Sequence, residues 1–435
     1  YTVFPYSYAN LENQILEFRP DIVGVTAVTM TYYDAIQVIH DTKQINSNIL
    51  TVMGGPHVTF CAKETLSACS FLDLIVLGEG EETIVEVVEE FGGNQNWNKV
   101  LGLAYRSNDG IVLNERRPLL DVKSLPLPAR HLLPLGRYKA LHTPISMTTS
   151  RGCPFNCIFC IGRKMVGAKV RYRDPMDVVD ELELLSKLEF PQINISDDLF
   201  TAKKSHCITI CNEIINRNLK IIWSSFARVD TVSEELLIKM REAGCKTISF
   251  GVETANKEIL KTIKKGITIE KVERAIKMCK KAGIEPHVSF ILGLPGETPE
   301  TLVETQEFGK KIESYGACYG FHLLAPFPGT AVRDENDQFD LSILTEDWSE
   351  YHANRAIVET SKVNKEMLNA IAEMWDRETH KKLNDIRNRM ELGEASEDEA
   401  WQILNLDRFL FIYQLMQDEV IEKHGRWSST KSSWD

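Results

Sequence analysis

The chain has 435 residues, of which 43% are hydrophobic and 26% are charged, a composition typical of a globular protein with about two or three domains. Its 50 Lys and Arg residues against 62 Asp and Glu residues give a formal net charge of −12, which disfavours bulk binding to nucleic acid or to an anionic membrane. The sequence contains no apolar run long enough for a membrane helix and no visible secretory signal.

Residues 1–100 alternate β-branched apolar runs with amphipathic stretches, which is the pattern of a parallel α/β layer. We predict three strand–helix units that form part of a doubly wound, Rossmann-like sheet. Three strands are few for an open sheet, so we expect this domain to be incomplete at its start. The predicted strands are Asp21–Val28, Ile49–Gly54 and Asp73–Leu77, and the predicted helices are Tyr33–Ile45, Ala62–Ala68 and Glu81–Phe91.

The pattern changes over residues 101–141. The dipeptide Asp109-Gly110 lies between two short apolar runs and indicates a hairpin turn. A proline-rich stretch from Pro118 to Pro134 follows, without the period of a helix or a strand. We therefore predict a linker with a small hairpin.

Residues 142–335 contain six further β/α units, too few for a closed (β/α)8 barrel, so we predict a partial, laterally open (β/α)6 barrel. Residues 336–435 show helical periodicity and several tryptophans. We interpret them as a helical C-terminal region that either caps the open side of the barrel or lends aromatic side chains to a substrate pocket. The predicted barrel strands are Ile145–Thr149, Ile193–Ser196, Ile221–Ala227, Thr247–Gly251, His287–Leu292 and Gly320–Ala325.

Three of the ten cysteines stand close together directly after the first barrel strand. Cys153, Cys157 and Cys160 have the spacing CxxxCxxC, on a loop that opens with Gly and Pro. Ten cysteines are too few for a disulfide scaffold in a chain of this length, so we expect a reducing, cytoplasmic compartment. In that setting, three neighbouring thiolates favour one soft-metal centre.

The number of thiolates distinguishes between metals. Structural zinc normally takes four ligands, and the sequence offers no second CxxC pair. A [4Fe–4S] cluster held by three thiolates keeps one iron open for a substrate or cofactor, whereas electron-transfer clusters usually take four. Three free cysteines, or a zinc knuckle with a distant fourth ligand, remain the alternatives.

The motif and its place in the β/α series resemble the radical S-adenosylmethionine (SAM) superfamily. The resemblance implies that Cys153, Cys157 and Cys160 hold a [4Fe–4S] cluster, that the open iron binds SAM, and that Phe159 lies near the adenine. It also implies reductive cleavage of SAM to a 5′-deoxyadenosyl radical, with an electron donor such as flavodoxin or ferredoxin as partner.

The same resemblance implies SAM contacts at the carboxyl ends of the later strands. Arg228 would pair with the SAM carboxylate, Glu253 would contact its ribose or methionine, and Asp197, followed by Asp198, stands where the superfamily often binds the amino group. As alternatives, Arg228 could pair with Asp230, and Glu253 could cap the next helix. The expected SAM-binding residues are Phe159, Asp197, Ser225, Arg228, Glu253 and Gly293.

Small residues end all three strands of the first block, which would let a large flat ligand approach the sheet edge. The block contains no GxGxxG loop. Beside the cysteine motif, the segments GVTAVTM, VMGGPHVTF and LGEGEET resemble the cobalamin-binding domain that precedes one large class of radical SAM enzymes. The resemblance implies cobalamin contacts at Thr26, Val28, Gly54, Gly55, Gly78 and Gly80.

Other candidate ligands have simpler interpretations. A lone histidine after a turn, such as His57, is more often structural than a cobalt ligand. Cys207 and Cys211 lie four residues apart on a predicted helix, and we interpret them as core residues.

The leading hypothesis is a cobalamin-dependent radical SAM enzyme that methylates an unactivated carbon of a small-molecule, lipid or natural-product substrate. One alternative is an enzyme of the same class that cyclises or oxidises its substrate without methyl transfer. A tRNA methylthiotransferase would need an extra N-terminal cysteine triad and a basic tail, and the sequence shows neither. A non-catalytic cobalamin- or metal-binding protein is the remaining alternative. We expect no nucleic-acid partner and no membrane span.

Overall fold

The computed structural model describes residues 8–140, 142–396, 399 and 403. They form two α/β units, each built on one main sheet, followed by a long helix. Most of the predicted C-terminal helical region beyond residue 396, including Trp401, Trp427 and Trp434, lies outside the described residues. Within the described part of the chain, no helix is long and apolar enough to cross a membrane.

The first unit contains five strands, β1 (Ile22–Thr26), β2 (Leu50–Gly54), β3 (Leu74–Val76), β4 (Leu103–Ser107) and β5 (Gly110–Leu113). They form one sheet in this order, with β1, β2 and β3 parallel and β4 and β5 antiparallel. The helices of this unit are α1 (Tyr8–Phe18), α2 (Tyr32–Ile45), α3 (Pro56–Phe60), α4 (Ala62–Ala68) and α5 (Glu81–Phe91).

Helices cover both faces of this sheet. Ile39 of α2 and Leu66 of α4 pack on one face, in a core that includes Ile75. Val87 of α5 packs on the opposite face, in a core that includes Val52. This two-sided covering confirms the doubly wound prediction.

The hairpin that we predicted as part of a linker belongs instead to the first sheet. β4 pairs antiparallel with β3, so that Leu103 lies opposite Val76, and Leu103 is fully buried. The sequence shows the turn at Asp109-Gly110 but carries no local signal of which strand the hairpin joins. The linker prediction for residues 101–141 is therefore wrong for the hairpin, and the first unit extends to Leu113.

The second unit begins with α6 (Leu135–Ala140) and contains six parallel strands, β6 (Ile145–Met147), β9 (Ile193–Ile195), β10 (Trp223–Ala227), β11 (Cys245–Glu253), β12 (Glu285–Leu292) and β13 (Cys318–Leu323). Their order in the sheet follows the chain, with β6 and β13 at its edges. This arrangement confirms the open (β/α)6 barrel. The short strands β7 (Ser150–Arg151) and β8 (Arg171–Tyr172) form one small sheet, and β14 (Ser342–Ile343) and β15 (Val358–Glu359) form another.

Helices lie between the barrel strands or follow the last one, and all of them except α7 contribute buried side chains to the core of the barrel sheet: α7 (Gly162–Val166), α8 (Pro175–Ser186), α9 (Lys204–Asn216), α10 (Glu234–Glu242), α11 (Lys257–Thr262), α12 (Ile269–Ala282), α13 (Pro299–Ser314) and α14 (Ala331–Asp334). Local signals set several bounds. Asp174 caps α8 by accepting the N–H of Met176, and Thr298 caps α13 in a capping box. Gly283 ends α12 in the left-handed conformation at φ 76°.

Alternate residues of each barrel strand point to opposite faces of the sheet, one packed against the helices and the other facing the inside of the open barrel. Trp223, Ile248 and Phe290 are fully buried in the core that includes residues of the helices. Because successive side chains in a strand point to opposite faces, their neighbours, such as Ser224 and Ser289, point into the open barrel.

The long helix α15 (Lys365–Glu391) packs against the edge strand β13. Its Trp375 ring lies 6.3 Å from the ring of Phe321. Of the two interpretations of the C-terminal region, this contact supports a cap on the open side of the barrel.

Candidate functional site

The three motif cysteines lie on the cysteine loop, residues 152–161, at the carboxyl end of the barrel sheet. Cys153 and Cys157 are half-buried, and Cys160 is exposed. Main-chain hydrogen bonds hold the loop: the N–H of Ile158 donates to the carbonyl of Ile263, and its carbonyl accepts from the N–H of Val332, both at 3.2 Å. The loop is therefore tied to the segments that follow α11 and β13.

The three thiols of the loop are a donor set that fits a [4Fe–4S] cluster with one open iron. Within the described residues, no three His, Cys, Asp or Glu side chains have the geometry to hold one metal ion. A cubane cluster does not require that geometry, because each thiolate binds a different iron. Burial raises the pKa of the Cys157 thiol, although the charges of Lys265 and Arg228 oppose the shift. Metal binding must therefore displace a proton from this thiol.

Asp197 lies beneath the loop and is buried. Its Oδ1 accepts from the N–H of Thr149, and its Oδ2 accepts from the hydroxyls of Thr149 and Ser150, each at 2.6 Å. Both carboxylate oxygens are thus engaged within the protein. The structure corrects the prediction that Asp197 contacts SAM: this side chain fixes the residues that lead into the cysteine loop.

Asp198 is the carboxylate that faces the cysteine loop. It is exposed, and it accepts from the N–H of Gly152 at 3.0 Å. A Cβ on Gly162 would lie 3.4 Å from Asp198 Oδ1 and 3.5 Å from Cys160 Sγ, which places this carboxylate beside the third cysteine. Sequence reasoning left open which of the two aspartates acts, because strand parity at the end of β9 decides it.

Arg228 is fixed against the cysteine loop. Its guanidinium carbon lies 3.5 Å from the centre of the ring of Phe155, a residue that stands between the first two motif cysteines in the sequence. Its Nε and Nη2 donate to the two carboxylate oxygens of Asp230, at 3.0 and 3.1 Å, and Nη2 also donates to the carbonyl of Lys265 at 2.7 Å. The alternative pairing with Asp230 is therefore present; Arg228 is buried, whereas Asp230 lies at the surface. The role of Arg228 toward SAM stays a prediction.

Glu253 pairs with a residue that sequence reasoning missed. Its Oε1 accepts from Nζ of Lys265 at 2.5 Å, and both residues are buried. The ammonium lies 5.9 Å from the centre of the Phe159 ring, so Phe159, Glu253 and Lys265 form one cluster beside the cysteine loop. Glu253 does not act as a helix cap; Asn256 caps α11. The KKG segment after α11 gave no sequence signal that Lys265 would be buried.

Ser225 does not face the barrel interior. It shares its parity with Trp223 and Ala227, which pack in the core between sheet and helices. Its Oγ is buried without a hydrogen-bond partner. The structure therefore contradicts the predicted SAM contact at Ser225.

A buried hydrogen bond within the loop after β12 stabilises that loop. The Glu297 carboxylate is buried and accepts from the N–H of Gly293 at 2.6 Å, and burial raises the pKa of Glu297 to about 8 against this hydrogen bond. A Cβ on Gly293 would lie 2.9 Å from Val358 and 3.3 Å from Leu368. Gly293 thus packs against the C-terminal segment, and its contact with SAM stays a prediction. Gly296 has no atom within 4 Å of an added Cβ.

The carboxyl edge of the first sheet contains open and closed positions. A Cβ on Gly54 would make only ordinary contacts, the nearest being 3.8 Å from the Val76 carbonyl oxygen, and a Cβ on Gly78 would meet nothing within 4 Å. Gly55 has φ 102°, and its added Cβ would lie 2.6 Å from the carbonyl oxygen of Ala27. Gly54 and Gly78 therefore leave room for a ligand, whereas Gly55 is required by the close approach of two strand ends.

The other positions on this edge differ in exposure. Thr26 is exposed at the end of β1, and Val28 is half-buried before a short 3₁₀ turn. A Cβ on Gly80 would lie 3.0 Å from a methyl group of Val76, which is a tight contact. The edge thus offers a cradle at Thr26, Gly54 and Gly78.

We predict that Gly54→Val blocks cobalamin binding without unfolding the chain. Gly54 lies in a strand, where Val is well tolerated, and the added side chain would fill the space above the sheet edge. Cobalt content and visible absorbance after incubation with cobalamin measure the occupancy. Gly24→Val is the matched control, because Gly24 lies on β1 away from the strand end, and its Cβ would meet nothing within 4 Å, whereas that of Gly54 makes only ordinary contacts. Equal cobalamin occupancy in the two variants would contradict the cradle assignment.

His57 is structural in the described residues, as expected from the sequence. It is 1% exposed, its Nδ1 lies 3.3 Å from the hydroxyl of Thr29, and its ring packs 4.3 Å from that of Tyr32 and 5.0 Å from that of Trp348. Burial, with the charge of Arg333, lowers the pKa of His57 to about 4. His57 also lines a cavity of about 380 Å³ between the two units.

A buried ion cluster joins the two units. Glu79, between Gly78 and Gly80, is 5% exposed and pairs with Arg151 at 3.0 Å and with Arg171 at 2.8 Å. Arg151 directly precedes the cysteine loop and also pairs with Glu81 at 2.5 Å. The turn after β3, at the carboxyl edge of the first sheet, is therefore bonded to the residue that precedes the cysteine loop.

We predict that Glu79→Ala lowers the free energy of unfolding by about 1.5–3 kcal/mol, because two half-buried guanidinium groups lose charged hydrogen bonds to this carboxylate, although Arg151 keeps its pair with Glu81. Urea denaturation measures the change. Glu82→Ala removes a carboxylate that is 57% exposed and pairs with Arg117, so it should cost about 1 kcal/mol or less. Equal costs for the two variants would contradict the prediction.

The pH dependence of this stabilisation has a defined sign. Burial of Glu79 favours its neutral form, but hydrogen bonds from Arg171, Arg151 and the N–H of Leu120 outweigh burial and lower the pKa of Glu79. A lowered folded-state pKa contributes stability above the ordinary value of 4.5, and this contribution is lost as the pH falls below it. The difference between wild type and Glu79→Ala should therefore shrink below that pH.

Fold and site together define a two-unit α/β enzyme with a cofactor cradle on one sheet and a three-cysteine loop on an open barrel. The family model of the radical SAM superfamily matches residues 147–309, and that of the B12 binding domain matches residues 4–88. An uncharacterized methyltransferase of Pyrococcus horikoshii is 38% identical over 348 residues, which are 79% of this chain and 75% of the relative. The chain belongs to the cobalamin-binding radical SAM enzymes.

Two further comparisons describe the range of relatives. The anaerobic magnesium-protoporphyrin IX monomethyl ester cyclase of Rubrivivax gelatinosus is 34% identical over 73% of this chain, which spans 59% of that protein. The fold resembles the radical SAM methyltransferase TsrM of Kitasatospora setae with cobalamin and a [4Fe–4S] cluster bound, at a TM-score of 0.69 and 21% identity over 81% of this chain and 79% of that one. It also resembles the cobalamin-dependent SAM radical enzyme OxsB, at a TM-score of 0.72 and 18% identity over 96% of this chain and 68% of that one. The cofactors of this enzyme are a [4Fe–4S] cluster, SAM and cobalamin.

Proposed function

We propose that this enzyme methylates an unactivated carbon of a small-molecule, lipid or natural-product substrate. When bound, the cluster and SAM supply a 5′-deoxyadenosyl radical, and cobalamin supplies the methyl group. In this proposal Cys153, Cys157 and Cys160 hold the cluster, and the cradle at Thr26, Gly54 and Gly78 holds cobalamin. Asp198 replaces Asp197 as the carboxylate that faces SAM.

The ion pair between Glu79 and Arg151 is the observation that carries the proposal. Glu79 lies between Gly78 and Gly80, at the edge of the first sheet where we place cobalamin. Arg151 lies two residues before Cys153, the first predicted cluster ligand. Methyl transfer to a substrate radical needs both cofactors on one substrate at a fixed distance. A buried ion pair at this position supplies that constraint.

We place the substrate in the cavity between the units. It is lined by residues after the double glycine, among them His57 and Phe60, and by Arg333 of α14. The neighbouring Val332 is bonded to Ile158 of the cysteine loop. Arg333 lies 4.4 Å above the Trp348 ring, so the cavity offers aromatic surfaces and one guanidinium, beside the carboxylates of Glu64 and Asp334, to a flat, polar molecule.

Cyclisation or oxidation without methyl transfer is the second candidate, supported by the 34% identity to the Rubrivivax gelatinosus cyclase. The two reactions differ in what becomes of SAM. Methyl donation leaves S-adenosylhomocysteine, whereas radical formation alone leaves methionine and 5′-deoxyadenosine. The ratio of these products distinguishes the candidates before the substrate is known.

The partners follow from the same chemistry. We propose a one-electron donor such as flavodoxin or ferredoxin, because reductive cleavage of SAM consumes one electron. We also propose a cytoplasmic location, supported by ten cysteines that are all free.

We predict that Cys153→Ala, Cys157→Ala and Cys160→Ala each lose the cluster and the cleavage of SAM. Wild type should hold about four irons per chain after anaerobic reconstitution. Iron analysis and the yield of 5′-deoxyadenosine with dithionite measure the two losses. Cys207→Ala is the control, because Cys207 is fully buried in the barrel core. If Cys207→Ala lost iron as fully as Cys157→Ala, the ligand assignment would be wrong.

For the methylation proposal we expect S-adenosylhomocysteine and 5′-deoxyadenosine together, when the reconstituted, cobalamin-loaded enzyme meets SAM carrying a deuterated methyl group and a pool of small metabolites. The methylated product should gain the labelled methyl group by mass spectrometry. Products that form with 5′-deoxyadenosine but without the labelled methyl group or S-adenosylhomocysteine would support cyclisation or oxidation and contradict methylation.

A further inference from the structure

Lys265 is a buried cation that none of the roles above uses. It is 7% exposed and lies in the segment after α11 that runs along the cysteine loop. In this segment Ile263 bonds to Ile158, and the carbonyl oxygen of Lys264 lies 3.9 Å from Cys157 Sγ. The backbone therefore fixes Lys265 directly beside the cluster ligands.

The ammonium of Lys265 is also held at its far end. It donates to Glu253 at 2.5 Å and lies 5.9 Å from the centre of the Phe159 ring, next to Cys160 in sequence. Glu253 has φ 73°, in the left-handed region that is rare for a residue with a side chain, at a register shift in β11. Such a conformation persists only where the surroundings hold it. The ion pair is thus set in a rigid frame.

The charged side chains around the cysteine loop differ in burial and in the partners with which they pair. Lys265 and Arg228 are cations buried beside the loop, and Arg228 is already paired with Asp230 through two donors. Glu253 supplies the single carboxylate that Lys265 contacts among the described residues. Asp198 lies on the exposed side, where water screens its charge. A charge change at Lys265 therefore acts through a drier medium than one at Asp198.

We propose that Lys265 raises the reduction potential of the [4Fe–4S] cluster. The inference rests on the cluster assignment of the proposed function. Reduction adds one electron from an external reductant to the cluster, and no bond forms or breaks at Lys265. A fixed positive charge nearby stabilises the more negative, reduced cluster, and Glu253 partly offsets this effect. The ion pair thereby sets the potential by the position of its two charges.

The sign of the effect separates this role from a merely structural one. In a redox titration of the reconstituted cluster, without SAM or substrate, Lys265→Met should shift the midpoint potential to more negative values. Glu253→Gln should shift it to more positive values, because it removes the opposing charge. Lys265→Arg, which keeps the charge, should stay close to wild type. The signal of the reduced cluster in electron paramagnetic resonance gives the potential, and iron analysis gives the occupancy.

Lys264→Met is the matched control, because Lys264 is the next residue and its side chain is exposed. It should leave the potential unchanged. An unchanged potential in Lys265→Met at full iron content, or a shift in the same direction as that of Glu253→Gln, would overturn the proposal.

A second comparison covers the case in which Lys265→Met loses the cluster. The double variant Lys265→Met/Glu253→Gln removes the ion pair as a unit and buries no single charge. A potential more negative than that of Glu253→Gln alone supports the proposal, and equal potentials overturn it. Loss of iron already in wild type would instead refute the cluster assignment on which the inference rests.

Discussion

The arrangement of both cofactor sites depends on one buried carboxylate. Glu79 leaves the first sheet between two glycines and accepts from Arg151 and Arg171 of the barrel unit. Glycines on both sides allow the chain to turn sharply there, while the carboxylate fixes the turn to the other unit. Two sheets that fold around separate cores thus share one set of ionic bonds, and their carboxyl edges meet there.

Such ion pairs fix geometry more than they add stability. Well-packed apolar side chains can replace a buried ion pair at little cost, whereas removal of one partner is expensive. Two other buried carboxylates near this site also fix geometry, each by accepting hydrogen bonds from the protein. Asp197 binds hydroxyls and an N–H beneath the cysteine loop, and Glu297 binds an N–H after β12. Each of them positions a loop at the carboxyl end of the barrel.

Much of the fold could be predicted because local patterns carry it. The helices α4 and α5 begin and end at the predicted residues, and the barrel strands differ from their predicted bounds by few residues. The cysteine spacing needs no tertiary information at all. The hairpin was misplaced because the turn at Asp109-Gly110 specifies two strands but no partner, and only the packed sheet supplies the partner.

The wrong assignments of site residues share one physical cause: the place of a residue along a strand does not by itself determine to which face of the sheet its side chain points. Ser225 points to the helices from the middle of β10, and of two adjacent aspartates the first turns inward. Lys265 was missed because nothing local distinguishes a buried lysine from the exposed Lys264 beside it. Its burial depends on Glu253, which is 12 residues earlier and held by a shift of register in β11.

The position of the charges also bears on how radical chemistry is confined. A carbon radical reacts with any hydrogen donor within reach, so the substrate must lie fixed and apart from solvent. The cavity between the units has aromatic walls from both of them, and Arg333 is held over one of those rings, that of Trp348, by its hydrogen bond to the hydroxyl of Tyr351. A shift of one unit against the other would open these walls and separate the two cofactor edges together. In the proposed methylation, the ionic bonds of Glu79 would therefore protect the substrate radical and fix the distance for methyl transfer by the same constraint.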